Sequence, residues 1–296
     1  MSRFPLWQID AFTDRPLAGN PCAVVFDAGD LNDEQMLAIA REMNLSETAF
    51  VRPSEVADAG ARYFTPAEEI PMAGHPTVAT IHALITSGRL LLRGSRTRFT
   101  LELPAGVIPV DVECGADGQR HIVMQQLKPR FLATYTAEVV LPVFGLTPAN
   151  LLPGAVIQTV STGTPQLMIP LRDHDALRRI RVDAAAYTAL RARGDFFSPH
   201  LFCLGGVTEA GQTFARHFGV PPDSPEDPFT GSATGGMAAY LWRYGLIDKP
   251  VFTAEQGHWM ARPGQAAVEV IGPRENVEAV RVGGTAVTVF VGELMV

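Results

Sequence analysis

Residues 69–77 read Glu69-Ile-Pro-Met-Ala-Gly-His-Pro-Thr77, and residues 226–234 read Glu226-Asp-Pro-Phe-Thr-Gly-Ser-Ala-Thr234. Glutamate, proline, glycine and threonine match between these two segments at a single offset (226 − 69 = 157). Both segments combine a proline and a glycine, the residues typical of a tight turn. The match predicts a duplicated structure in which each copy carries the same turn.

Other matches extend the repeat toward the N-terminal end of each copy. They are Arg62-Tyr-Phe with Arg216-His-Phe at an offset of 154, Ser46 with Ser198 at 152, and Gly19-Asn-Pro with Gly163-Thr-Pro at 144. The offsets rise in order, as insertions between true repeats require, and the second copy gains three residues within Pro221–Pro225. Two copies predict two halves related by a pseudo-two-fold axis, with a site in the cleft between them.

In each copy the glycine turn is followed at once by apolar residues at helical spacing, over Pro76–Thr86 and Thr234–Tyr244. The first N–H groups of a helix have no partner within it, and the helix dipole is positive there. Two such N-termini facing each other predict a clamp for a carboxylate or for an enolate-like charge. The alternative is ordinary helix capping by Thr230 or Ser232.

The two copies differ in the side chains that can move protons. The aligned pairs that differ are His75 with Ser232, Ile70 with Asp227, and Glu47 with Pro199. A buried carboxyl group can have its pKa raised toward neutrality, which suits proton transfer. Glu47 precedes a buried-looking strand and is therefore a candidate acid/base. The alternatives are a solvent-facing acid for Glu47, a capping or structural role for His75, and a turn residue before proline for Asp227.

Short apolar segments with Gly, Pro or Asp between them predict that strands dominate the rest of the chain. The predicted strands are Leu6–Phe12, Ala23–Phe26, Ala49–Val51, Phe99–Leu103, Val107–Val112, His121–Gln125, Ile157–Val160, Leu167–Leu171 and Leu201–Val207. Two further helices are predicted over Asn32–Met43 and Asp183–Arg193. Strands and helices mix without a regular βαβ order, so the predicted class is α+β, with a crossover between halves within Gly115–Lys128.

The composition excludes several classes of function. The net charge of the 296-residue chain is −7 and no run of basic residues occurs, which argues against a nucleic-acid partner. No apolar run is long enough to span a membrane, and no secretory signal is visible at the N-terminus. The cysteines, Cys22, Cys114 and Cys203, lack metal-ligand spacing. We expect inert thiols in a reducing cytoplasm and no metal site.

In these residues the chain resembles the PhzF family of phenazine-biosynthesis-like isomerases. The resemblance rests on an ordered set of segments: Ile9–Phe12, Arg15–Pro21, Asn44–Val51, Arg62–Pro66 with Glu69–Pro71, Ala73–Pro76, and Glu226–Gly235. Each segment alone is weakly specific, whereas the set in this order is specific. The segments lie between residues 9 and 235, so the resemblance covers most of the chain.

The resemblance implies a diaminopimelate epimerase-like α+β fold. In that fold, two pseudo-symmetric halves each form a curved, mostly antiparallel sheet around a central helix. The N-terminal half would comprise residues 1–117 plus 284–296, because the final strand, around Ala286–Val291, would cross back to complete it. Residues 118–283 would form the C-terminal half.

The resemblance also implies the function: a cofactor-independent isomerase that moves a proton within a small, anionic, carboxylate-bearing substrate. Glu47 would be the general acid/base, with His75 and Asp227 assisting at the substrate. The implied substrate-binding residues are Ser46, Gly74, Gly231, Ser232 and Ala233. No cofactor and no metal are expected, and the protein would be a cytoplasmic homodimer with no nucleic-acid or membrane partner.

Epimerases and proline racemases of the same fold use two facing cysteines, where this chain has His75 and Ser232. The substitution disfavours racemisation by two thiols, because serine is a poor base without an activating partner. Two alternatives stay open: an amino-acid epimerase that uses Glu47 and His75 as bases, and a non-catalytic small-molecule binding protein. Phe229 replaces a small residue of the family motif, so we expect it at the mouth of the site, where it would alter substrate choice.

Overall fold

The computed structural model describes residues 2–115, 118–220 and 223–296. Within these residues, seventeen strands join one continuous sheet. The strands are β1 (Arg3–Ala11), β2 (Asn20–Val25), β3 (Glu47–Arg52), β4 (Ala59–Phe64), β5 (Glu69–Ile70), β6 (Arg96–Leu103), β7 (Gly106–Cys114), β8 (Arg120–Gln125), β9 (Arg130–Tyr135), β10 (Ile157–Ser161), β11 (Pro165–Pro170), β12 (Ser198–Leu204), β13 (Thr213–His217), β14 (Val251–Gln256), β15 (Gly264–Ile271), β16 (Ala279–Gly284) and β17 (Ala286–Met295).

The described residues also form six α-helices, of which two are long and central. The helices are α1 (Asp33–Met43), α2 (Gly74–Thr86), α3 (Ala137–Val140), α4 (His174–Arg179), α5 (Ala184–Arg191) and α6 (Gly231–Arg243). Helix α2 packs against β1, β2, β3, β8 and β17, and α6 packs against β10, β11, β15 and β16. Both helices are buried on nearly every side, as their mostly small and apolar residues require. None of the described helices is long and apolar enough to cross a membrane.

The last strand of each copy pairs with the opposite half of the sheet. Strand β17 runs antiparallel to β1, from the pair Arg3 and Met295 to the pair Ala11 and Ala286. Strand β9, which follows the first copy, pairs in the same way with β10 at the start of the second. Strand β8 also pairs antiparallel with β16. The described strands therefore form one continuous sheet, in which the last strand of the chain lies beside the first.

The mixed, mostly antiparallel sheet around two central helices confirms the predicted fold class. The predicted elements are present with shifted bounds, and two shifts matter: α2 begins at Gly74 and α6 at Gly231, earlier than their apolar spacing indicated. The division into residues 1–117 plus 284–296 and residues 118–283 stays a prediction. Ala116–Asp117, at that boundary, and Pro221–Pro222, in the predicted insertion, lie outside the described residues.

Sheet register shows which residue of the second half corresponds to Glu47. In the first half, β2 pairs Cys22 with Glu47 of β3. In the second half, β11 pairs Gln166 with Ser198 of β12. Cys22 and Gln166 correspond at the offset of 144 that relates the two Gly-x-Pro segments. Ser198, and not Pro199, therefore occupies the position of Glu47.

The next strand pair gives the same register independently. Strand β3 pairs Phe50 with Arg62 of β4, and β12 pairs Leu201 with Arg216 of β13. Counting back three residues from Phe50 and from Leu201 again reaches Glu47 and Ser198. The alignment of Ser46 with Ser198 is therefore wrong by one residue. The error matters because neighbouring side chains of a strand point to opposite faces.

Candidate active site

The N-termini of α2 and α6 touch each other at their first residues. A Cβ atom placed on Gly74 would lie 3.0 Å from the Cα atom of Gly231 and 3.0 Å from the backbone nitrogen of Ser232. Neither N-cap residue, Ala73 or Thr230, caps its helix with a side chain, so the capping alternative is wrong for Thr230. The positive ends of two central helices therefore meet at one point, and neither end is capped by the side chain of its N-cap residue.

A cavity of about 550 Å³ lies beside these helix ends and is walled by both halves. Four predicted site residues line it, namely Ser46, Glu47, Asp227 and Ser232. The other four are not among its lining residues, namely Gly74, His75, Gly231 and Ala233. The volume suits a small molecule. The structure thus brings the predicted residues to one place, some at the cavity wall and some behind it.

Glu47 is the first residue of β3, and its position depends on the end of α1. An Asn32 capping box starts α1, and Asn44 ends it in the left-handed conformation, which turns the chain into β3. The Glu47 side chain is 17% exposed and lies at the cavity wall. Burial raises the pKa of Glu47 well above its usual value, and the charges of Asp227 and Asp223 raise it further.

His75 lies in the first turn of α2, directly behind Glu47. Its Nδ1 atom is 3.2 Å from Oε2 of Glu47 and 3.1 Å from the side-chain nitrogen of Asn20. Burial lowers the pKa of His75 to about 3, against a smaller opposing effect of the Pro21 carbonyl. With the Glu47 pKa raised and the His75 pKa lowered, the two side chains form a neutral contact and not a salt bridge.

Asp227 is held in place by hydroxyl and amide donors from both halves. Its Oδ1 atom accepts from Ser46 at 2.7 Å and from Asn20 at 2.8 Å, and its Oδ2 atom accepts from the Thr230 hydroxyl. Burial raises the pKa of Asp227, and these three hydrogen bonds oppose that rise. Glu47 lacks comparable donors. The proton shared by this pair of acids therefore resides on Glu47.

Asn20 is a site residue that the sequence did not predict as one, although it lies in a repeat match and in the segment Arg15–Pro21. It is fully buried in β2, and its side-chain nitrogen contacts His75, Asp227 and the carbonyl oxygen of Phe229. This one amide therefore joins a helix of the first half to a loop of the second. The signal that pointed to it was the Gly19-Asn-Pro segment, where the second copy has Thr164.

Glu47, His75 and Asp227 each offer one ligand atom, and these atoms lie within 4.8 Å of one another. That spacing admits a cation. The donor set fits one poorly, because both Asp227 oxygens already accept hydrogen bonds, one of them from Asn20, and the Asn20 amide nitrogen also lies 3.1 Å from Nδ1 of His75. A cation placed there would face those hydrogens and would have to displace them.

Phe229 does not lie where we expected it. Its side chain is fully buried and stacks on Phe12, with the ring centroids 4.4 Å apart, and it is not among the residues that line the cavity. The expectation that Phe229 lies at the mouth of the site is therefore wrong. Only its backbone serves the site, through the carbonyl oxygen that accepts from Asn20.

The cysteines lie outside this constellation. Burial raises the pKa of Cys22 well above its usual value and that of Cys203 to about 12, so neither thiol ionises near neutral pH. Cys114 is partly exposed on β7 and does not line the cavity. The first two thiols agree with the expectation of unreactive cysteines.

Known proteins show the family and the fold of this chain. The family model described as "Phenazine biosynthesis-like protein" matches residues 9–292. The chain belongs to the PhzC-PhzF family. It is 32% identical to an uncharacterised isomerase, YfhB, of Bacillus subtilis, over 97% of both chains. It is 34% identical to the trans-2,3-dihydro-3-hydroxyanthranilate isomerase of Pseudomonas fluorescens, over 95% of both chains. These relatives confirm that this PhzF-like protein is an isomerase.

Solved structures show the same architecture. A PhzF-family protein of Bacillus anthracis superposes on the whole chain with a TM-score of 0.89 and 32% identity, covering 100% of both chains. A hydroxyproline epimerase of Agrobacterium vitis covers 99% of this chain with a TM-score of 0.69 and 12% identity. The second likeness concerns the fold alone. It confirms that this PhzF-like isomerase shares its architecture with epimerases.

Proposed function

We propose that this protein is a cofactor-independent isomerase that moves a proton within a small carboxylate-bearing substrate, with Glu47 as the general acid/base. The observation that carries the proposal is the position of Glu47 together with its raised pKa. Its carboxyl group lies at the cavity wall and stays protonated to higher pH than an ordinary glutamate because it is buried near Asp227. Such a group can give a proton and take one near neutral pH.

The paired helix ends supply the binding site for the substrate's carboxylate. Their uncapped N–H groups and positive dipoles attract an anion and stabilise the charge that develops when a neighbouring carbon loses a proton. Glu47, in its ionised form, takes a proton from one carbon and then gives it to another. One C–H bond forms and one breaks, so the electrons balance without an oxidant, and Glu47 returns to its starting form.

The relatives suggest the class of substrate. The Pseudomonas fluorescens relative is named for trans-2,3-dihydro-3-hydroxyanthranilate, a ring carboxylate. A molecule of that size suits the cavity of about 550 Å³. We propose a small carboxylate of this kind as the substrate. A cytoplasmic homodimer that binds neither nucleic acid nor membrane stays a prediction.

Epimerisation with two bases has less support. It requires bases on opposite faces of one carbon atom, whereas Nδ1 of His75 lies 3.2 Å from Oε2 of Glu47, so the two groups lie on the same side. The residue that mirrors Glu47 is Ser198, an alcohol that does not ionise near neutral pH. Neither pair supplies two facing bases.

The experiment is to follow turnover of trans-2,3-dihydro-3-hydroxyanthranilate, and of other small carboxylates, by NMR in D₂O. For Glu47→Gln we expect the rate of isomerisation and of deuterium incorporation to fall by roughly 10²–10⁴. Glu68→Gln is the matched control, because Glu68 is an exposed acid of the same cavity wall. A Glu47→Gln protein that keeps the wild-type rate would refute the assignment.

A further inference from the structure

At the same cavity, the second half holds a buried polar cluster that the proposed mechanism does not use. The Ser198 hydroxyl lies 2.6 Å from Oε1 of Gln166 and 2.8 Å from Nε2 of His217. The Nδ1 atom of His217 lies 3.2 Å from Nδ1 of His200. All four side chains are at most 5% exposed. Such a fully buried network is costly unless its members are paired.

The donor and the acceptor of each hydrogen bond in this cluster can be assigned. Burial lowers the pKa of His217 to about 3 and that of His200 well below its usual value, so each ring is neutral and carries one N–H group. The Ser198 hydroxyl donates to Gln166, so the His217 Nε2–H group must donate to Ser198. The Nδ1 atom of His217 is then bare and accepts from His200.

This assignment leaves one lone pair of the Ser198 oxygen without a partner in the cluster. Ser198, Gln166 and His217 all line the cavity that Glu47 lines. Because sheet register makes Ser198 the counterpart of Glu47, the pseudo-two-fold axis relates the two side chains. A substrate whose carboxylate sits at the paired helix ends, on that axis, meets Glu47 on one side and Ser198 on the other.

We propose that Ser198, held by Gln166 and His217, is a specificity-determining residue that accepts a hydrogen bond from a donor group of the substrate on the side away from Glu47. The proposal rests on the proposed function, since it concerns the same substrate in the same cavity. It requires that the substrate carry, besides its carboxylate, an amine or hydroxyl group.

The charges around the cavity favour an amine as that donor. Acidic residues of the second half line the same wall, and Arg191 is the one basic residue among the described residues that line the cavity. The Oδ1 atom of Asp223 is buried and has no hydrogen-bond partner within the described residues. Nitrogen donors suit such acceptors, whereas a second anionic group would be repelled.

The test compares two ligands that differ by one donor group, 2-aminobenzoate and benzoate. Isothermal titration calorimetry gives the ratio of their dissociation constants for the wild type, Ser198→Ala and Ser161→Ala. We expect the wild type to prefer 2-aminobenzoate and Ser198→Ala to lose about fivefold of that preference, the usual effect of one neutral hydrogen bond. Ser161 is a buried serine at the end of β10 that does not line the cavity, so its variant keeps the preference.

His217 is a positioning residue in this proposal, and a pair of variants tests that role. His217→Gln keeps an N–H group that can donate to Ser198, so we expect it to retain most of the preference for 2-aminobenzoate. His217→Phe fills the space without a donor and should lower the preference as Ser198→Ala does. A histidine that only fills space would be replaced equally well by either residue.

Three results would overturn the proposal: a wild type without preference between the ligands, a Ser198→Ala protein with unchanged preference, or an equal loss of affinity for both ligands. Each measurement is a ratio of affinities in one protein, so a partly unfolded sample does not mimic the expected result. No turnover is needed. The Glu47→Gln protein can therefore keep its preference for 2-aminobenzoate even if the role of Glu47 in proton transfer is refuted. The two proposals can thus fail independently.

Discussion

At one strand position the first half of the molecule carries Glu47, and at the corresponding position the second half carries Ser198. Glu47 contacts His75, from the helix behind it, whereas Ser198 contacts His217, from the next strand. The counterpart of His217 in the first half is Tyr63, which bonds to Thr77 instead. The duplicated backbone is thus retained, while the polar partners of each position have diverged.

The glycines that the halves share and the ionisable side chains that differ between them have separate roles. Both halves contribute a glycine at the start of a central helix, and these glycines meet. The shared features form the anion site that we propose, in which both helix dipoles point at one place. The ionisable groups differ, because a single carboxyl group with a raised pKa suffices to move a proton.

The largest expected effect comes from separating the helix ends. Gly74→Ala places a methyl group 3.0 Å from backbone atoms of Gly231 and Ser232, so the helices must move apart. We expect a loss of about 1–3 kcal/mol in the free energy of unfolding, as in other overpacked sites, together with loss of carboxylate binding. Urea unfolding and calorimetric titration with benzoate measure the two effects.

Two other glycine variants show whether the effect belongs to the contact. A Cβ atom on Gly231 would lie 3.4 Å from the Cα atom of Gly74, so Gly231→Ala presses less on the helix contact and should weaken carboxylate binding less. Gly29→Ala has open space around the new methyl group and should be nearly neutral. Equal effects at Gly74 and Gly29 would show that the close approach of the helices does not matter.

A second prediction concerns the amide that joins the halves. Asn20→Ala removes a donor from Asp227, so the pKa of that carboxyl group should rise further and the proton should be shared differently between Asp227 and Glu47. We expect a fall of about tenfold in kcat/KM and a shift of the acidic limb of the pH–rate profile to higher pH.

Thr164, the counterpart of Asn20 in the second half, provides the matched control. It lines the same cavity, and it is not among the described residues that donate hydrogen bonds to Asp227. Thr164→Ala should leave the pH–rate profile in place. If both variants shift the profile alike, the hydrogen bond from Asn20 is not what holds Asp227 in its ionised form.

The sequence predicted the parts of this site that depend on local pattern. The glycine turns, the helices after them and the position of Glu47 at a strand start all follow from short-range rules. Asn20 and the His217–Ser198 contact depend on strand pairing between distant segments, which local pattern does not give. The match of two serines misplaced Ser198 by one residue, and Phe229 was misplaced because its neighbour Phe12 is distant in sequence.

The smallest predicted effect compares a buried glutamate from each half. The pKa of Glu47 is raised in the folded protein, mainly by burial. Its stabilising contribution is therefore fully present below its unfolded pKa and is lost as the pH rises through its folded pKa. Glu47→Gln removes that loss, so Tm should rise at pH 8, by about 2–4 °C for each ~1 kcal/mol gained, and should change little at pH 4.

Glu255, in β14 of the second half, should behave in the opposite way. Burial raises its pKa, but hydrogen bonds from Thr208, Val207 and Gln265 outweigh burial and lower the pKa overall. Its contribution is present above its unfolded pKa and is lost as the pH falls through its folded pKa. Glu255→Gln should therefore lower Tm more at pH 8 than at pH 3. Thermal unfolding of both variants across this pH range measures how the change in Tm depends on pH. If that dependence has the same sign in both variants, Glu47 and Glu255 do not differ in the way their pKa values are shifted.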